Sequence, residues 1–170
     1  MTRARDVATQ GGLVLISSTT IGSAVSSVVV SNAFSATYDN YKIIIAGGVG
    51  SNNTLMRTQL GSDTSGYVWA STYVTSAAGS TPDGTGSGGA AHFWGGYAST
   101  NTIAMDLTLQ GPNLAKRTTF MSEGVNTIST GGHHRAGGFL DNTNQHTAFT
   151  ISPQTGTITG GTISLYGYKK

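Results

Sequence analysis

Tyr67-Val68-Trp69-Ala70-Ser71-Thr72-Tyr73-Val74-Thr75 (YVWASTYVT) reads as an extended strand. Successive side chains of a strand point to opposite faces. Tyr67, Trp69, Ser71 and Tyr73 therefore share one face, and Val68, Ala70, Thr72 and Val74 share the other. Upstream, Leu55–Leu60 continues the alternation, with Leu55 and Arg57 opposite Met56, Thr58 and Leu60. Tyr41–Ala46 (YKIIIA) is apolar enough for a sandwich core, and Val25–Val30 is rich in β-branched residues. Downstream follow Ala91–Tyr97, Thr102–Leu109, Thr118–Ser122, Ala136–Leu140, Thr147–Ile151 and Thr162–Tyr168. Helical periodicity is nearly absent, the best candidate being the short Thr2–Thr9, which ends at Gly11–Gly12. About ten short segments punctuated by Gly, Asn, Asp and Ser predict an all-β, antiparallel β-sandwich of jelly-roll type. They disfavour βαβ units, which need intervening helices.

The chain has 170 residues, which suits one domain: a short arm or helix over 1–12, then a sandwich over 13–170. Only 9% of residues are charged, where roughly 25% is usual, and 25 are Gly. Such a composition would suit a disordered chain, but the β-branched and aromatic runs argue for a packed core. The longest glycine-rich stretch, Ser76–Gly89 (SAAGSTPDGTGSGG), predicts a mobile surface loop between strands. A linker between two domains is the other reading of it.

Several function classes fall away on composition. The net charge is +2, and the nine Lys and Arg residues are scattered, at most two together, where nucleic-acid binders cluster them on one face. No cysteine is present, so disulfides and thiolate metal sites are excluded. The weakly apolar Leu13–Ile16 runs straight into Ser17-Ser18-Thr19-Thr20, too short and polar for a signal-peptide core. No stretch approaches a membrane-spanning length, so neither export nor membrane insertion is expected.

Chemical motifs are few. His133 and His134 are adjacent in GGHHRAGG, so on a strand they face opposite ways and cannot chelate one ion together. A Gly-rich loop is their simplest setting, and no metal or other cofactor is expected. No G-x-S-x-G elbow is present. A carboxylate pair would need the single Glu, Glu123, with one of six Asp residues. Asp39, Asp63, Asp83 and Asp141 sit in turn-forming contexts. Asp106 lies within an alternating strand and is expected to face solvent. No catalytic residue is assigned. The doubled glycines match no phosphate-binding loop and suit turns and bulges.

The aromatics are the better lead. Tyr67, Trp69 and Tyr73 form one stripe, and His92 with Trp94 form a second at strand spacing. Flat rings with polar edges either fill a sandwich core or provide a surface for host glycans or for an interface. Residues 3–10 differ in composition from the rest. They make either a frayed tail or an arm that docks on a neighbour.

The closing segment Ala148-Phe149-Thr150 with Gly160-Gly161-Thr162-Ile163-Ser164-Leu165-Tyr166-Gly167-Tyr168 resembles the last strands of tailed-bacteriophage virion surface proteins. Phe34-Ser35-Ala36-Thr37-Tyr38-Asp39-Asn40-Tyr41-Lys42-Ile43 resembles their aromatic, turn, Tyr, hydrophobic-strand passage. Thr2-Arg3-Ala4-Arg5-Asp6-Val7-Ala8 is similar to an N-terminal signature of marine and cyanobacterial phage structural proteins. The resemblance implies a non-enzymatic, usually trimeric β-sandwich on the virion: a capsid decoration protein, a head fibre or a tail-fibre domain. It implies partners among capsid or tail proteins, assembly in the host cytoplasm, and docking through Thr2, Arg3, Arg5, Asp6 and Val7. The chain lacks the long repetitive shaft of a tail fibre, which favours a stand-alone subunit bound directly to a capsid or tail lattice. A tail-fibre or receptor-binding module, with Tyr67, Trp69, Tyr73, His92 and Trp94 engaging host glycans, is the alternative.

Overall fold

Branched and aromatic side chains at every second position favour pleated pairing, where they pack against neighbours across the strands. The computed structural model describes residues 12–76, 79–127 and 131–170, with residues 79–87 by their backbone alone. Among these residues it has fourteen strands and no helix. They are β1 (Leu13–Thr20), β2 (Val28–Val30), β3 (Asn40–Ala46), β4 (Val49–Gly50), β5 (Thr54–Leu60), β6 (Tyr67–Thr75) and β7 (Gly79–Ala90). The second half adds β8 (Phe93–Ala98), β9 (Ile103–Gln110), β10 (Thr118–Asn126), β11 (Gly132–Leu140), β12 (Phe149–Pro153), β13 (Ile158–Thr159) and β14 (Thr162–Tyr168).

All pairings are antiparallel; β4 and β13 pair with each other, and the other twelve strands form one continuous ladder that divides at the β8–β9 hairpin into two sheets. One runs β1-β14-β3-β9 and continues through β10, β11 and β6 to β7; the other runs β2-β12-β5-β8. The β8–β9 hairpin, pairing Tyr97 with Ala104 and Ala98 with Ile103, carries the chain between them. Counting β1, β2, β3, β5, β8, β9, β12 and β14 as first to eighth, the sheets read first-eighth-third-sixth and second-seventh-fourth-fifth. That is the strand order of a jelly roll. Hairpins β6–β7 and β10–β11 are insertions that pair with each other, from Gly132 opposite Thr75 to Leu140 opposite Tyr67. They lengthen the first sheet to eight strands.

The core fills the space between the sheets. Tyr67 of β6, Phe93 of β8 and Phe120 of β10 are buried in ring contact, with centroids 4.7 and 4.0 Å apart. Phe34 packs on Tyr41 of β3 and Phe149 of β12. Burying each such ring contributes about 1.5–3 kcal/mol. The Tyr41 hydroxyl donates to the Ser35 carbonyl and accepts from the Ser35 N–H, both at 2.8 Å. The Tyr67 hydroxyl accepts from the Leu60 N–H at 2.8 Å, and burial pushes its pKa up to about 12.

Where β8 leaves its sheet it crosses β10 almost backbone to backbone. A methyl group on Gly124 would lie 2.5 Å from the Gly96 Cα and 2.8 Å from the Ala104 oxygen. Gly96 itself has φ +78°, and the Ser122 hydroxyl donates to the Trp94 carbonyl across the crossing at 3.1 Å.

Two sequence expectations need correction. Most of the Ser76–Gly89 stretch is a strand, not a loop: β7 pairs with β6 from Gly79 opposite Thr75 to Ala90 opposite Tyr67. Ladder bonds are made by backbone, so a Gly-rich segment pairs when its neighbour offers an edge, and Pro82 is tolerated there because β7 is terminal in the sheet. Gly132, Gly137 and Gly138 around His133 and His134 likewise belong to β11 rather than to a loop. The Ser-Thr run after Leu13 is the second half of β1, held by β14. The candidate helix Thr2–Thr9 lies outside the described residues.

Candidate functional site

The inward face of β6 decides the fate of the aromatic stripe. Tyr67 is fully buried and Trp69 is 6% exposed, so neither ring is presented to solvent. An outward-facing glycan stripe is corrected at these two positions, because their face of the strand is the one the second sheet covers. Trp69 stacks on Trp94 with centroids 4.5 Å apart and planes at 24°. The Trp94 indole N–H donates to Nε2 of His92 at 2.9 Å. Burial, and then the Arg57 guanidinium, hold the His92 pKa down to about 4. A neutral ring is what this hydrogen bond needs, since a protonated Nε2 has no lone pair to offer. His92, Trp94 and Trp69 are therefore joined in one cluster, the two indoles by stacking and His92 by its hydrogen bond.

Tyr73, farther along the same face, has a different setting. It is half-buried, its hydroxyl accepts from the Asn126 side-chain amide at 2.7 Å, and its ring lies against Gly132, where a Cβ would collide with it. Tyr73 and Tyr97 border a cleft of about 440 Å³. Thr54, Leu55 and Asn126 are buried at its base, and Asn53, Gln154 and Thr155 stand exposed at its rim. The rim is tied down locally: the Thr155 N–H donates to the Thr54 hydroxyl at 3.3 Å and the Gln154 N–H to the Leu55 carbonyl at 2.8 Å.

The outer face of the longer sheet carries the charges. The register sets Asp106 opposite Glu123 and Glu123 opposite Arg135. Lys42 Nζ sits 2.7 Å from Asp106, Arg135 is bonded to Glu123, and His133 Nε2 lies 3.9 Å from Glu123. Lys42 is held protonated more firmly than usual, chiefly by its hydrogen bond to Asp106. Met121 and Val125 stand beside this row, 61% and 50% exposed. His134, the neighbour of His133, points the other way and is buried. Among the described residues no three His, Asp or Glu side chains come together as a metal site. Asp63 accepts from the Asn142 and Asn144 amides and stands 3.4 Å from buried His146, tying two turns together.

No family model matches the chain. No curated protein matches it either. A solved structure of infectious bursal disease virus, Gx strain, aligns with 94% of this chain and 39% of its own at 8% identity, with a TM-score of 0.12. A likeness that slight carries no argument.

Two surfaces are thus available for binding, an uncharged cleft and a charge-paired sheet face. Each exposed carboxylate of the outer row has its own cation beside it. Tyr73 stood out in the sequence, but Tyr97, Asn126 and Gln154 did not, because they reach the cleft from three further strands or turns. One signal was readable: Asn126 occupies an inward position of the alternating strand β10, and a buried carboxamide needs partners. The expected docking residues Thr2, Arg3, Arg5, Asp6 and Val7 lie outside the described residues.

Proposed function

We propose that this chain is a non-enzymatic structural subunit of a phage particle, a capsid decoration or attachment protein. Its N-terminal segment holds the assembled shell, and its jelly-roll domain is displayed as a homotrimer. The observation that carries this reading is the outer face of the eight-stranded sheet. Exposed Met121 and Val125 beside a row of ion pairs from Lys42 to Arg135 make a composition suited to contact between protein subunits. The partners are then other virion proteins of the capsid or tail. A second reading, a tail-fibre or receptor-binding module for host glycans, is favoured by the uncharged Tyr73–Tyr97 cleft.

A subunit that binds the shell and not its free building blocks stabilises the particle by mass action. Particles lacking the protein are mixed with the full chain or with a chain beginning at residue 13. The full chain is expected to co-sediment with particles, and the shortened one to remain in the supernatant with unchanged circular dichroism and melting. Retained sedimentation of the shortened chain overturns docking through the N-terminal segment. Ultracentrifugation of Met121→Asp is expected to show a trimer shifted towards monomer, and an unchanged mass removes the outer face from the trimer contact.

A further inference from the structure

We infer that the cleft between Tyr73 and Tyr97 is a binding site for a neutral saccharide. The inference rests on the second reading above and names the site and ligand class for it. Its size, about 440 Å³, falls within the range of roughly 300–1,000 Å³ typical of small-ligand sites. Its chemistry narrows the ligand further. All eight residues that border it are uncharged, and all but Leu55 bear a hydroxyl or carboxamide. An anionic ligand would find no counter-charge there, and a purely apolar one would strip water from those polar groups without replacing their hydrogen bonds.

A pyranose ring meets both requirements at once. Its C–H faces lie on aromatic rings, which Tyr73 and Tyr97 supply, and its vicinal hydroxyls both donate and accept. Carboxamides do the same, each with one acceptor oxygen and two N–H donors, and Asn53 and Gln154 carry them at the exposed rim. The floor is preset: Asn126 and Gly132 hold the Tyr73 phenol, so little ordering is left for the moment of binding. The cleft also draws its lining from separate parts of the chain: β5, β6, β8, β10 and the segment after β12. Only the folded domain assembles it.

The test is an array of neutral oligosaccharides, with sialylated and sulfated counterparts, read with the full-length chain and with Gln154→Ala and Tyr97→Ala. Gln154→Ala alters an exposed side chain and leaves the fold in place; melting curves accompany both variants. Binding to one or more neutral glycans is expected, weakened about tenfold by Gln154→Ala, the loss of one hydrogen-bonding group. Neutral binding that neither folded variant changes overturns the site but leaves the glycan-binding reading standing on another surface. Binding confined to the acidic glycans overturns the ligand class in the same way. No binding to any glycan overturns both.

Discussion

Gly124 shows how one absent methyl group sets the distance between two strands. The crossing of β8 over β10 leaves no room for a side chain there, and Met105 of β9 closes the space at Gly96. Gly124→Ala is expected to destabilise the domain by at least about 1–3 kcal/mol, measured by urea denaturation, since the colliding atoms are backbone and cannot swing aside. His92 gives a second expectation. Its folded pKa of about 4 lies below the ordinary 6.5, so between those values the unfolded chain binds a proton that the folded one refuses. Stability should therefore fall as pH drops from 6.5 to 4, by up to about 3 kcal/mol from this residue. His146, also shifted downward by burial, acts in the same direction. His92→Gln retains an acceptor for the Trp94 N–H and removes the titration; a melting-temperature profile across this range should be flatter than that of the parent chain. Residue-scale facts of this kind were barely legible in the sequence. Glycine at 124 is unremarkable in one dimension, and histidine at 92 was readable only as a neighbour of Trp94; the contacts brought in by folding give both their role.

Strands were legible where side chains carried the pattern and illegible where backbone did. Tyr67–Thr75 and Thr162–Tyr168 alternate, and both are strands with those bounds. The long β7 shows no such alternation, because an edge strand of Gly, Ser and Thr is defined by the ladder of β6 beside it. Inward and outward assignment was the other gap: the face shared by Tyr67, Trp69 and Tyr73 was readable, but which sheet covered it was not. Position in the sheet should also govern local stability. Amides of Ile43, Ile45 and Leu107 lie in β3 and β9, each paired on both sides, whereas β1, β2 and β7 are terminal. Hydrogen exchange is expected to be slowest for the former and fastest in the three edge strands, spanning much of the global unfolding free energy. Equal protection throughout would mean that the edges open only with the whole domain.

At the scale of the whole molecule, jelly-roll order follows from which strands pair. Sequence spacing gave the class but not the two inserted hairpins, whose pairing with each other depends on segments about sixty residues apart finding one register. The Lys169 N–H donates to the Gly12 carbonyl at 3.2 Å, so both ends of the described domain meet at one corner. A chain stopped after Gly161 is expected to show no cooperative melting in calorimetry, since Ile163 and Leu165 leave the core and β1 loses its partner. The place of β14, between β1 and β3, has a consequence for how the protein is made. A ribosome releases β1 and β3 early and must translate more than a hundred further residues before the strand that joins them exists. Until then both nascent strands carry bare edges that match each other's copies on neighbouring polysomes as well as they match the missing strand. Speed of elongation and access to a chaperone during that interval should therefore govern the yield of soluble protein more than the stability of the finished domain does.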